Sequence, residues 1–229
     1  MSIRLLFAPM ASAKAVFLTA AFAILAGIAH GQSFTDPGFE SYTVSSGGFV
    51  KPTSGPWQFT NDAGVVEPFA SNSSTGVLYT WSATFPALGG QQYASTYGVD
   101  SLRQSVSFSL AGTYRISAYA ATPNGSVTIP PLGSISLEDG EFTFVLAGSP
   151  IGVTNVVSKG SSWNLYSAVF SIGKPGSYLL GIVNTKTAPY FINYDDFAIQ
   201  AVPEPTTFQL LLTCGLVLAS LTCARRWHH

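Results

Sequence analysis

Ser105-Val106-Ser107-Phe108-Ser109-Leu110 alternates polar with apolar side chains, and Tyr114-Arg115-Ile116-Ser117-Ala118-Tyr119-Ala120 resumes the alternation after Ala111-Gly112-Thr113. A strand sends successive side chains to opposite faces, so a period of two marks a strand with one buried face. Outward from this pair, residues 141–146, 165–172, 178–183 and 191–199 read the same way. Turn signals stand between them: Pro123-Asn124-Gly125, Asp139-Gly140, Gly148-Ser149-Pro150, Lys159-Gly160 and Lys174-Pro175-Gly176. Asn-Gly and Asp-Gly favour positive φ and close tight hairpins. The order strand, glycine, tyrosine at Gly112-Thr113-Tyr114 returns at Gly176-Ser177-Tyr178, which predicts two similar hairpins. No helical period is sustained between residues 32 and 201. The expected fold is all-β, an antiparallel β-sandwich of the jelly-roll kind. Residues 41–101, rich in Gly, Ser and Pro, fit least well and are expected to hold long loops.

Both ends of the 229-residue chain read as targeting segments. Arg4 and Lys14 precede an uncharged apolar run over 15–29, short for a spanning helix and suited to a signal-peptide core. Ala29 and Gly31 are small residues at the −3 and −1 positions of a cut before Gln32. Residues 1–31 are therefore expected to be a signal peptide read by the Sec translocon. At the other end, 206–224 carries no charge. At about 1.5 Å per residue it nearly crosses a hydrocarbon core of about 30 Å. Arg225 and Arg226 follow, an arrangement that keeps the tail on the cytoplasmic side. Pro203-Glu204-Pro205 stands before the helix and holds the approach extended.

A Pro-Glu-Pro motif, one apolar helix and a terminal Arg pair resemble the PEP-CTERM sorting signal, here over 202–229. The Trp227-His228-His229 end departs from the more basic tails common in that signal. The resemblance implies a Gram-negative bacterium that makes exopolysaccharide, and processing by exosortase, an integral-membrane cysteine enzyme. It implies an inner-membrane intermediate on the way to the envelope, surface or matrix.

What remains, 32–201, is long enough for one domain with a good core. Charged residues make up only 9% of the chain, and 13% are aromatic, which excludes a disordered charged tail. Lys51, Arg103, Arg115, Lys159, Lys174 and Lys186 oppose ten acids, a net charge of −4 with no basic cluster. Nucleic acid, gripped through neutralised phosphates, is not an expected partner. The histidines are His30, His228 and His229, and the cysteines are Cys214 and Cys223, all in the targeting ends. The exported domain therefore holds no disulfide, no Ser-His-Asp triad, no Cys-His pair and no His/Cys zinc site.

Asp36-Pro37-Gly38-Phe39-Glu40, then Gln104-Ser105-Val106, a Gly-x-Tyr strand, Trp163-Asn164-Leu165-Tyr166 and Tyr194-Asp195-Asp196-Phe197 occur in that order. The order resembles the galactose-binding-like jelly rolls, which include several carbohydrate-binding modules. That resemblance implies a structural Ca²⁺ between Glu40 and Asp195. The alternation with Phe197 and Ile199 puts Asp195 on the inward face and Asp196 outward. An inward carboxylate is costly unless paired, hydrogen-bonded or bound to a cation, and hard oxygen ligands suit Ca²⁺. The alternative is an Asp195 that accepts backbone hydrogen bonds.

Sugars stack their CH faces on aromatic rings, and Tyr79 with Trp81 is the candidate platform. Trp163 is expected in the core beside Leu165. Glu138, Asp139 and Glu141 cluster at one turn, and a glycosidase needs two acids across a cleft. A solvated turn explains them more simply. The leading expectation is a non-enzymatic surface or matrix protein that binds exopolysaccharide, with no required cofactor. The alternative is an extracellular carbohydrate-active enzyme that works with carboxylates alone.

Overall fold

The computed structural model describes residues 32–68, 86–123, 126–129, 133–187 and 189–203, with backbone alone for 126–129 and 133–135. The expected signal peptide over 1–31, the expected helix over 206–224, Glu204, Pro205, Arg225 and Arg226 lie outside the described residues, as do Tyr79 and Trp81. Among the described residues no helix is long and apolar enough to cross a membrane.

The described strands, in chain order, are β1 (Gly48–Val50), β2 (Trp57–Phe59), β3 (Gly64–Glu67), β4 (Tyr93–Tyr97), β5 (Ser101–Phe108), β6 (Gly112–Ala121), β7 (Ser126–Ile129), β8 (Gly133–Ser136), β9 (Gly140–Leu146), β10 (Ser149–Val157), β11 (Asn164–Ile172), β12 (Gly176–Asn184) and β13 (Phe191–Ala201). Six form one sheet in the order β1-β3-β4-β13-β6-β11, and five form a second in the order β10-β9-β12-β5-β2. β7 and β8 pair with each other. Every strand pair is antiparallel.

The inward faces of the two sheets meet through aromatic rings. Phe108 of β5 lies 4.8 Å from Tyr114 of β6 and 5.9 Å from Phe170 of β11. Phe142 of β9 lies 5.4 Å from Tyr166 and 5.3 Å from Tyr194. Such edge-on pairs add about 0.5–1.5 kcal/mol each beyond their area burial. The result is an all-β sandwich, as the alternation predicts, and the six strands expected from it form within a few residues of their expected bounds.

The repeated glycine-tyrosine unit has a different meaning from the one expected. β5 and β6 belong to different sheets, and so do β11 and β12, so Gly112 and Gly176 turn arches between sheets, not hairpins. The arches stack: β6 pairs with β11 while β5 pairs with β12. Gly112 and Gly176 have φ of 155° and 157°, a region that a Cβ disfavours. Tyr114 Oη donates to Leu110 O at 2.9 Å, and Tyr178 Oη donates to Lys174 O at 2.8 Å. Each tyrosine thus ties its arch four residues back.

Asp139-Gly140 also departs from expectation. Gly140 opens β9, and a Cβ there would lie 2.5 Å from Ile192 Cγ1. The glycine serves close packing. The hairpin turn comes at Ala147-Gly148, with φ of 50° and 86°, and leads into β10. Within 41–101 the expected loops include β1 to β4.

Candidate functional site

One corner of the sandwich gathers acidic side chains. Phe39 is fully buried at a φ of 63°, within ring contact of Trp57 and Phe197. Trp57 Nε1 donates to Asp36 O at 2.8 Å and Phe197 N donates to Pro37 O at 3.1 Å. This aromatic plug fixes the 36–40 turn and aims Glu40 at residues 91–92. Glu40 Oε1 accepts the N–H groups of Gln91 and Gln92, both at 2.8 Å.

Asp195 arrives from β13. Tyr194 pairs with Ala120 and Asp195 with Tyr119, but Ala198 pairs with Ser117, so β13 carries one extra residue. Asp196, at a φ of 49°, lies in this bulge. The bulge resets the alternation, so Asp195 does not share the inward face of Ile199. It points away from Tyr194, to the outer side of the six-stranded sheet. It is nonetheless fully buried. Its Oδ2 accepts Leu88 N at 3.0 Å and Gly89 N at 3.3 Å, and its Oδ1 accepts Asp196 N at 2.8 Å. Burial pushes its carboxyl up to about 7, with the Asp196 charge adding to the shift and the backbone N–H groups opposing it.

The structure therefore brings Glu40 and Asp195 to one corner beside Gly38, with the exposed Asp196 near them. A Cβ on Gly38 would lie 3.4 Å from Asp195 Oδ1, 3.6 Å from Asp196 Oδ1 and 4.0 Å from Glu40 Cγ. The ion pairs Lys51–Asp62 and Lys186–Glu138 lie elsewhere. The donor set is all hard oxygen, the kind that suits Ca²⁺. It is also incomplete: among the described residues no three His, Cys, Asp or Glu side chains converge to hold a metal ion. In the geometry described, both carboxylates act as acceptors that pin the 88–92 segment.

A second feature escaped the sequence reading. The outer face of the six-stranded sheet is aromatic. Register puts Phe49, Val66 and Tyr93 in one row across β1, β3 and β4. Tyr97 faces Phe191, and Ser95 faces Asn193, across β4 and β13. Asp195 faces Tyr119 on β6. Tyr97 and Phe191 rings lie 4.5 Å apart, and Trp163 meets Tyr93 at 5.8 Å. Trp163 Nε1 donates to Pro86 O at 3.0 Å. Trp163 is thus half-buried on this outer side, not in the core, and Leu165 beside it is exposed. The readable signal was Tyr93-Ala94-Ser95-Thr96-Tyr97, which puts two tyrosines and a serine on one face of a strand. Tyr79 and Trp81 belong to the connection between β3 and β4, outside the described residues.

The remaining acids are committed to local structure. Glu138 pairs with Lys186 at 2.7 Å, and Asp139 Oδ1 accepts Lys159 N at 2.9 Å.

No protein-family model matches the sequence, and no curated protein is similar to it in sequence. Solved structures are similar in fold. The Stig cyclase Fisc from Fischerella sp. TAU is 12% identical, with 76% of this chain and 98% of that one covered and a TM-score of 0.51. The CBM22-1 xylan-binding domain of Paenibacillus barcinonensis Xyn10C is 15% identical, with 76% and 97% covered and a TM-score of 0.45. TmCBM61, solved with β-1,4-galactotriose, is 16% identical, with 74% and 99% covered and a TM-score of 0.45. At these identities the likeness is one of fold: a two-sheet antiparallel β-sandwich.

Proposed function

We propose that this chain is an exported, non-enzymatic surface or exopolysaccharide-matrix protein whose sandwich binds polysaccharide on the outer face of the six-stranded sheet. The observation that carries this reading is the aromatic row there, with the half-buried rings of Tyr97 and Trp163 packed at 4.5 Å and 5.8 Å on the buried Phe191 and Tyr93. Rings take the CH faces of sugars, while amides and hydroxyls take their hydroxyl groups. Tyr79 and Trp81, in the connection between β3 and β4, are further aromatic candidates. Affinity electrophoresis in gels of neutral xylan and galactan tests this. Wild-type migration is retarded, and Tyr97→Ala and Trp163→Ala restore free migration. Equal mobility of wild type with and without every neutral glycan overturns it.

The order of motifs supports the route. A signal peptide over 1–31 delivers the chain to the Sec translocon. The helix over 206–224, with Arg225 and Arg226 inside, holds it in the inner membrane. An exosortase-type enzyme then acts near Pro203-Glu204-Pro205. At the acidic corner, Glu40 and Asp195 hold a structural Ca²⁺, with backbone carbonyls filling the shell. The burial of the Asp195 carboxyl among hard-oxygen groups supports that assignment.

A further inference from the structure

We propose that the outer face of the five-stranded sheet carries a separate anion subsite, centred on Arg103, that takes a carboxylate of an acidic polysaccharide. The ligand class rests on the polysaccharide reading above, but the subsite lies on the opposite side of the sandwich from the aromatic row.

Arg103 sits in the middle of β5, flanked by β2 and β12. Its neighbours Leu102 and Gln104 are buried toward the other sheet, so Arg103 projects outward. Register places it between Gln58 on β2 and Gly181 on β12. The next residue in that row is Val145 on β9. Val145 is 2% exposed and Thr143, two residues back on the same face, is 6% exposed, so that end of the row is nearly enclosed.

Among the described residues the guanidinium Nε is uncommitted. Arg103 is half-buried, and its Nε is enclosed without a hydrogen-bond partner. Neither ion pair among the described residues involves it. Gln58 beside it and Ser105 two residues along are exposed, polar, and without a side-chain hydrogen bond among the described residues. By contrast Ser107 and Ser177, further along the same two strands, bond each other at 2.7 Å. Gly181 contributes no side chain to cap the charge on its other flank.

An enclosed N–H with no acceptor is costly to leave unmade. Arg presents five donors in a planar fork that matches a carboxylate through two parallel bonds, and such charge-assisted pairs are about twice as strong as neutral ones. Gln58 and Ser105 supply further groups for neighbouring hydroxyls. The exported part carries a net charge of −4, so long-range attraction does not deliver an anion here. The short-range fork does the selecting.

The test uses polygalacturonate, its fully methyl-esterified form and a neutral galactan, with the purified protein in affinity gels. Polygalacturonate retards the wild type, and methyl esterification abolishes the retardation. Arg103→Gln weakens binding about tenfold, as expected for loss of one bidentate charge-assisted pair. Excess neutral galactan in the gel leaves this binding unchanged, which separates the subsite from the aromatic row. Should Arg103→Gln melt below the assay temperature, Gln58→Ala and Ser105→Ala stand in, each weakening binding severalfold. Equal retardation by the esterified polymer, or full binding by a folded Arg103→Gln, overturns the proposal. Loss of neutral-glycan binding alone would strike the aromatic-face reading and leave this one intact.

Discussion

Asp195 carries the largest energetic tension at the level of single residues. Its carboxyl titrates near 7 in the folded chain and near the ordinary 3.8 when unfolded. The folded state therefore holds the proton more tightly. The stabilisation is fully present below the unfolded value and is lost as pH rises through about 7. In calcium-free buffer, urea melts should show stability falling between about pH 4 and 7, by on the order of 2–4 kcal/mol. Asp195→Asn keeps an oxygen for Leu88 N and Gly89 N and should flatten that fall. A wild-type profile that rises over the same range would contradict the buried-acid assignment. Millimolar Ca²⁺ at pH 7.5 should raise the melting temperature over EDTA, by mass action on the native state, and Asp195→Ala should abolish the response. Identical melts in Ca²⁺ and EDTA would remove calcium from this corner. That Glu40 and Asp195 lie at one corner was legible because their residue types and order resemble a known arrangement. The facing of Asp195 was not legible, because the extra residue at Asp196 bears no mark in a run of apolar and acidic side chains.

Secondary-structure elements show where sequence reading works and where it stops. Strands of seven residues or more with an inward stripe, such as β6 and β11, gave the period several turns of alternation to declare itself. β1, β2, β3 and β4 span three to five residues, too few for a period to stand out among Gly, Ser and Pro. β10 was missed because its register shifts between Ile151 and Asn155, around Gly152 at a φ of 73°. The two arches were seen as a repeat but misread as hairpins, since a glycine turn looks the same whether the next strand pairs or crosses. Their tyrosine ties are measurable. Tyr114→Phe strands the Leu110 carbonyl near a buried ring and should cost about 1 kcal/mol in chemical denaturation. Tyr178→Phe, at a more exposed position, should cost less. Gly181→Ala would place its Cβ 2.0 Å from Leu102 O and 2.8 Å from Arg103 Cα, both backbone atoms of the paired strand. A loss of about 2 kcal/mol or more is expected, and a neutral result would mean that β12 can move away from β5.

For the molecule as a whole, processing is the sharpest question. Intact mass of the surface protein should lack 206–229, and replacing Pro203-Glu204-Pro205 by alanines should leave export intact while the chain stays in the membrane fraction. An extended proline-flanked segment has no backbone pairing to break before a protease can seize it. Surface protein that keeps the helix would make the tail a plain anchor. Strand order then bears on timing. The two strands made last occupy interior places: β12 lies between β9 and β5, and β13 between β4 and β6. A chain that leaves a translocon N-terminus first has two half-sheets on each side of the sandwich until β12 clears, and the six-stranded sheet stays in two halves until residue 201 clears. Pairings so distant along the chain form slowly. On the proposed export route, the six-stranded sheet can lock only once residue 201 has passed the pore, so the domain stays threadable for as long as it needs to be threaded.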